Sequence, residues 1–191
     1  PTPFFVMATQ NPIEMEGTFT LPEAQRDRFQ QKLTVGLPER GRERKLLDRF
    51  DNTPEMGPED VEAVVSPKDI QSARNAVTEI HLEDVVYDYI LDLVTASREH
   101  VDVAHGASPR GSLALLQTAK ARAAIADREY VISDDVKEMV EPVLRHRLVL
   151  TTDAELSDVS PLDVIGDICN SVSPPESKAT DSELLTDSPE T

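Results

Sequence analysis

The sequence predicts a mostly α-helical chain in which two short strands form the trailing edge of an α/β unit and are followed by a helical bundle and an acidic tail. Three observations carry that reading. A continuous apolar run near the start, Phe4 to Ala8, has the look of a strand buried on both faces. Between Pro67 and Leu148 apolar residues recur at helical spacing behind Ser-Pro and Ser starts. From Thr151 onward serine, proline and acid accumulate with almost no period. The expected divisions are therefore 1–37, 38–150 and 151–191.

Each element follows from local chemistry. Pro3 to Thr9 reads as an interior strand of a parallel sheet, because an unbroken apolar run needs cover on both sides. Gln10 to Pro22 is a loop, punctuated by Asn11-Pro12, Gly17 and Leu21-Pro22. Glu23 to Arg28 supports one or two helical turns, and Lys32 to Gly36 reads as a second short strand. Two strands alone cannot build a sheet with a stable core, hence the expectation of a sheet edge. Glu39 to Phe50 is a charged helix whose alternating arginines and glutamates suit an exposed face, and Asn52 to Pro58 breaks it. Ser66-Pro67 caps a helix to Ala76, and Val77 to Leu82 is an extended connector. Leu82 to Glu99 is amphipathic through Val86, Ile90, Leu93, Val94 and Ser97. Ser108-Pro109 starts a helix through Leu113, Leu116, Ala119 and Ala123 to about Asp127. Ser133 is the expected cap of a helix over Asp134 to Leu148, with a bend at Pro142. Leu162 to Val172 is the one short helix expected in the tail, and the remainder reads as disordered.

Composition excludes several functions. The chain has 191 residues, 36 acidic against 19 basic, for a formal charge of −17. Such a chain repels phosphate and anionic lipid, so unaided nucleic-acid or membrane binding is not expected. More than half of the charge falls in residues 151–191, where acid outnumbers base ten to one. The longest apolar run is far short of the roughly 20 residues of a membrane span. With one cysteine, Cys169, no internal disulfide or multi-thiolate metal site can form, so a reducing, cytoplasmic setting is the default expectation. Cys169 itself reads as a small hydrophobe, and Tyr87 and Tyr89 as packing residues.

No Gly-rich phosphate loop is present, since none of the seven glycines precedes a lysine; His81, His100, His105 and His146 lack zinc-ligand spacing with the cysteine. Three polar residues stand out by position. Asn11 follows the expected strand, where ligands collect in open parallel sheets, although Asn-Pro also simply opens a turn. Arg28 could reach a neighbouring subunit's site to steady charge on a transferring phosphoryl group, or pair at the surface with Asp27 or Glu23. Arg110, second in its helix, faces the wrong end of the dipole for a cation; a phosphate between them would resolve this, and so would extension into water. The basic cluster Arg145-His146-Arg147 suits a helix C-terminus without further function.

Ala8-Thr9-Gln10-Asn11-Pro12-Ile13-Glu14, Glu16-Gly17-Thr18, Leu21-Pro22-Glu23-Ala24-Gln25, Asp27-Arg28-Phe29 and Gly106-Ala107-Ser108-Pro109-Arg110, in that order, resemble the MoxR family of AAA+ ATPases over roughly residues 3–172. The resemblance implies that 1–37 is the C-terminal edge of a P-loop AAA+ α/β core, that 38–150 is the helical lid, and that Leu162 to Val172 is the family's closing segment. It implies that Asn11 is the sensor 1 residue positioning the attacking water, that Arg28 is the arginine finger acting on nucleotide in the adjacent subunit, and that Arg110 is the sensor 2 arginine. Arg26 departs from the pattern, which more often has leucine there, and so competes with Arg28 for the finger role. ATP and Mg²⁺ are the implied cofactors, bound mainly by the family's phosphate loop and acidic motif. Those lie upstream of the sensor 1 strand in the family, so the chain reads as a fragment or truncated product and is expected not to hydrolyse ATP alone. A homo-oligomeric ring, a hexamer, and von Willebrand factor A-domain proteins are the partners that the resemblance implies, with chaperone-like remodelling as the implied role. Two alternatives remain at this stage: a non-catalytic module that docks onto intact rings, and the AAA+ subunit of a magnesium-chelatase-like complex.

Overall fold

A computed structural model describes residues 3–10, 21–55 and 57–175. Its order is α1 (Glu23–Arg26), α2 (Arg40–Asn52), a 3-10 turn (Pro58–Asp60), α3 (Pro67–Glu79), α4 (Asp84–Glu99), β1 (Val103–His105), α5 (Pro109–Ile125), α6 (Ser133–Leu144), β2 (Val149–Leu150), α7 (Thr152–Leu156) and α8 (Pro161–Ser171). The chain is mostly helical, as its periodicity requires. The loop over 11–20, including Asn11, and the tail from residue 176 lie outside the described residues.

The strands are not where the apolar runs suggested. Residues 3–10 form no strand, and Phe4, Phe5, Val6 and Met7 are exposed. Residues 32–36 are likewise irregular, with Leu33 and Val35 exposed. A strand exists by pairing, and no described segment pairs with either run as a strand. The Lys32 amide instead donates to the Pro142 carbonyl of α6 at 2.8 Å. Among the described residues the two strands that do form, β1 and β2, pair antiparallel with Val103 opposite Leu150 and His105 opposite Val149, irregular between the two positions.

The core is aliphatic and lies among α4, α5, α6 and α8. Leu93, Val94, Leu115, Ala119, Val136, Val140, Val143, Leu144, Val164 and Ile168 are all essentially inaccessible. Small residues on α5, Gly111, Ala114, Ala119 and Ala123, let α6 approach closely. The buried stripe of α5 therefore runs through Gly111, Leu115 and Thr118 and leaves Leu113, one of the residues that mark its helical spacing, exposed. Helix α8 buries Val164, Ile165 and Ile168, so the packed bundle continues past residue 150. By contrast α2 has no buried residue.

The caps explain where helices begin and end. Ser66, Ser108 and Ser160 each precede a proline at the first helical position and accept a backbone N–H from the first turn. Helix α6 begins differently from expectation: Ser133 is its first residue, and the Asp135 carboxylate accepts the Ile132 amide at 3.0 Å. Asp135, buried, is also gripped by both terminal nitrogens of Arg128, at 2.5 and 2.7 Å. The helix stops at Leu144 rather than Leu148. Two helices end in Schellman turns whose left-handed position holds an aspartate, Asp127 after α5 (φ 56°) and Asp158 after α7 (φ 58°).

Candidate functional site

One region of the bundle gathers charge instead of apolar contact: the segment following α1, the N-terminus of α5 and the C-terminus of α6. Its geometry starts at Gly106. A Cβ there would meet the Arg98 Cα at 2.6 Å and crowd the Ser97 carbonyl, so only glycine lets this turn lie against the end of α4. Buried Ser97 then accepts the Ala107 amide at 3.1 Å while donating to the Val94 carbonyl at 2.6 Å, and Arg98 Nε donates to the Ala107 carbonyl at 2.8 Å. The turn is thereby locked, and it presents Ser108 and Arg110 in a fixed place.

Across from them runs a strap, residues 27–34, tied down by polar contacts. Arg147, just past α6 and with a side chain only 2% exposed, does most of the tying. Its Nε donates to Asp27 Oδ1 at 3.2 Å, and its terminal nitrogens donate to the carbonyls of Asp27 (3.1 Å), Phe29 (2.7 Å), Gln30 (3.2 Å) and Val143. Arg145 Nη2 adds a bond to Thr34 Oγ1 at 3.0 Å, and Gln30 Nε2 donates to Gln117 at 3.0 Å. The cluster Arg145-His146-Arg147 is therefore the anchor of a long-range contact and not merely a favourable helix end. Sequence reasoning missed this because the carbonyls it satisfies lie about 117 positions away.

Asp27 is the hub. Ser108 Oγ donates to its carboxylate at 3.0 Å, Arg110 Nη1 lies 3.2 Å from Oδ2, and Arg147 holds Oδ1. Burial by itself would raise the Asp27 carboxyl, but the bonds from Ser108 and Arg110 and the charges of Arg147 and Arg110 outweigh it and hold the group below the usual carboxylate range. A shallow cleft of about 170 Å³ opens beside it, lined by Glu23, Arg26, Asp27, His105, Ser108 and Arg147 among others. Arg110 reaches this hub from the first turn of α5 and remains 59% exposed, so the misplaced cation is stabilised by Asp27 and not by water alone. Arg28 is exposed, and its side chain makes no hydrogen bond or ion pair among the described residues; Asp27, its expected surface partner, is engaged elsewhere. Arg26 is half-buried, its Nε shielded and unpartnered. Asn11 lies outside the described residues. Among those residues no group of three or more His, Cys, Asp or Glu stands together to hold a metal ion, and no helix is long and apolar enough to cross a membrane.

His146 adds a pH dependence. Its ring is buried, with Nε2 2.9 Å from the Phe29 carbonyl and Nδ1 unpartnered. Nε2 also lies 2.9 Å from the Arg147 guanidinium, whose charge disfavours a second cation beside it, so the neutral ring fits. Burial lowers its pKa; the Phe29 carbonyl opposes this, and the charges of Arg147, Lys32 and Arg26 reinforce it. A group whose folded pKa lies below its unfolded value binds protons more readily when unfolded. Its contribution is therefore complete above the ordinary histidine pKa of about 6.5 and is lost as pH falls below it, by up to about 1.4 kcal/mol per pH unit. Urea unfolding at pH 7.5 and 5.5 should show this loss, and His146→Gln should abolish the histidine part of it.

The comparisons agree with this architecture. Residues 95–168 match the model of the AAA lid domain, and residues 1–31 match that of the ATPase family associated with various cellular activities (AAA). The chain is 40% identical to "Chaperone MoxR1" of Mycobacterium tuberculosis over 188 residues, covering 94% of this chain and 49% of that protein. It is 38% identical to the Bacillus subtilis protein YeaC, over 91% of this chain and 53% of that one. A crystal structure of a "putative ATPase" from Cytophaga hutchinsonii superposes with a TM-score of 0.84 at 34% identity, covering 92% of this chain and 56% of its own. The chain thus spans about half the length of the relatives it matches.

Proposed function

Because this chain belongs to the MoxR type of AAA+ ATPases and corresponds to their C-terminal portion, we propose that it forms the nucleotide-sensing lid half of an ATPase that couples ATP binding and hydrolysis to chaperone-like remodelling of partner proteins. The observation that carries this reading is the placement of Arg110. An exposed guanidinium carried on the first turn of a helix, beside a locked glycine turn, is suited to meet phosphate oxygens. In this reading Arg110 contacts nucleotide from the lid, Arg28 reaches the nucleotide of an adjacent subunit in a homo-oligomeric ring, and Asn11 orients the attacking water. ATP and Mg²⁺ are held chiefly by a phosphate loop and acidic motif outside this sequence, which contains neither; ATP supplies the phosphoryl group and Mg²⁺ neutralises its charge. Chaperone function is stated for the Mycobacterium tuberculosis relative, and von Willebrand factor A-domain proteins are the first partners to test.

Calorimetric titration with AMP-PNP and Mg²⁺ tests the lid assignment. The full-length ATPase carrying this chain should bind, residues 1–191 alone should not, and Arg110→Ala should weaken full-length binding about tenfold, a loss of about 1.4 kcal/mol, as for a hydrogen bond to a charged group. Tight binding by residues 1–191 alone would place the phosphate cradle within this chain and overturn the reading.

A further inference from the structure

Resting on that reading of Arg110 and Arg28, we infer that Asp27 is a positioning residue that exchanges Arg110 with nucleotide phosphate and so links the filling of one subunit's site to the arginine presented to the next. Asp27 carries two arginines of opposite character. Arg147 is buried and bound to four backbone carbonyls as well, so it stays. Arg110 is 59% exposed and holds Asp27 through one terminal nitrogen at 3.2 Å, an ion pair of the weak, solvent-screened kind. A polyphosphate brings several charges and many acceptor oxygens to the same guanidinium, and a single screened carboxylate cannot retain it against them.

The consequence falls on the neighbouring residue. Asp27 and Arg28 are consecutive in the turn that closes α1, where the Arg28 amide donates to the Gln25 carbonyl at 3.2 Å. When Arg110 turns to phosphate, the carboxylate keeps Ser108 and Arg147 but loses one of its compensating charges, and the turn bearing Arg28 is left with one of its two side-chain ties to the start of α5, the Ser108 hydroxyl. Asp27 thus competes with nucleotide while the lid is open and reports its arrival to Arg28.

The test uses the full-length ATPase, AMP-PNP with Mg²⁺, and the variants Asp27→Asn, Arg110→Ala and the double variant. Asparagine keeps the shape and a hydrogen-bonding oxygen but removes the competing charge, so Asp27→Asn should tighten nucleotide binding two- to fivefold. In the Arg110→Ala background the same change should do nothing. A purely structural Asp27 would instead weaken binding or leave it unaltered, in either background, and that result overturns the inference while leaving Arg110 as a nucleotide ligand. If Arg110→Ala itself leaves the affinity unchanged, the lid reading fails and the inference with it. Should Asp27→Asn not fold, hydrogen exchange of the Arg28 and Phe29 amides decides. Saturating nucleotide should alter their exchange in the unmodified protein and not in Arg110→Ala; an equal response in both would overturn the inference.

Discussion

With Arg28 as the proposed arginine finger, Arg28→Ala is expected to reduce ATP turnover of the full-length ATPase by about 10³-fold, the scale of losing an arginine that steadies charge on a transferring phosphoryl group. The loss should come with little change in thermal stability or nucleotide affinity. That combination follows from the geometry: the Arg28 side chain is exposed and takes no part in the ties that hold the strap, so its removal leaves the fold alone. Steady-state hydrolysis, calorimetric binding and a thermal melt on the same preparation check the three parts together. Arg26→Ala is the informative contrast, because Arg26 is half-buried beside the cleft with its Nε shielded from solvent. Truncating it should disturb packing more than turnover. If the two substitutions exchange these signatures, the finger is Arg26.

Arg147→Met should cost about 3 kcal/mol of stability or somewhat more, the range seen when one member of a buried ion pair is removed. Methionine fills much of the volume but returns none of the hydrogen bonds, leaving the Asp27 carboxylate short of a charge and the Asp27, Gln30 and Val143 carbonyls without the Arg147 donor. In a domain of this size the melting temperature should fall by about 10 °C. Arg145→Ala, two residues earlier, removes only a partly exposed pair with Glu141 and the bond to Thr34, and should cost less than about 1 kcal/mol. Equal losses for the two variants would show that Arg147 does not anchor the strap.

Much of this molecule was legible in its sequence because much of it is local. Ser66-Pro67 and Ser108-Pro109 open α3 and α5 as capping chemistry requires, and the buried stripe of α4 is the one its periodicity marks, Val86 to Ser97. Both depend on residues within a turn or two of each other. The motif order that marks the MoxR resemblance is also a property of the string alone, and the relatives and the matched AAA models bear it out. The failures share one cause. Phe4 to Met7 is apolar enough to be a strand, yet a strand needs a hydrogen-bonded neighbour, which no described segment supplies. Leu113 fits a helical stripe on α5, yet the packing against α6 turns Gly111, Leu115 and Thr118 inward instead.

The sequence by itself determined the helical class, the family and the two arginines worth testing, because caps, periodicity and motif order are fixed by neighbours along the chain. Only the tertiary structure decided which of those arginines has a partner. Asp27, Ser108, Arg110 and Arg147 are separated by up to 120 positions, and no pattern within a turn or a strand encodes their meeting. They meet because α5 and α6 pack through small residues and because a glycine lets the β1–α5 turn close on α4. A carboxylate can serve three donors at once only where the fold brings their charges and hydrogen bonds to one half-buried place.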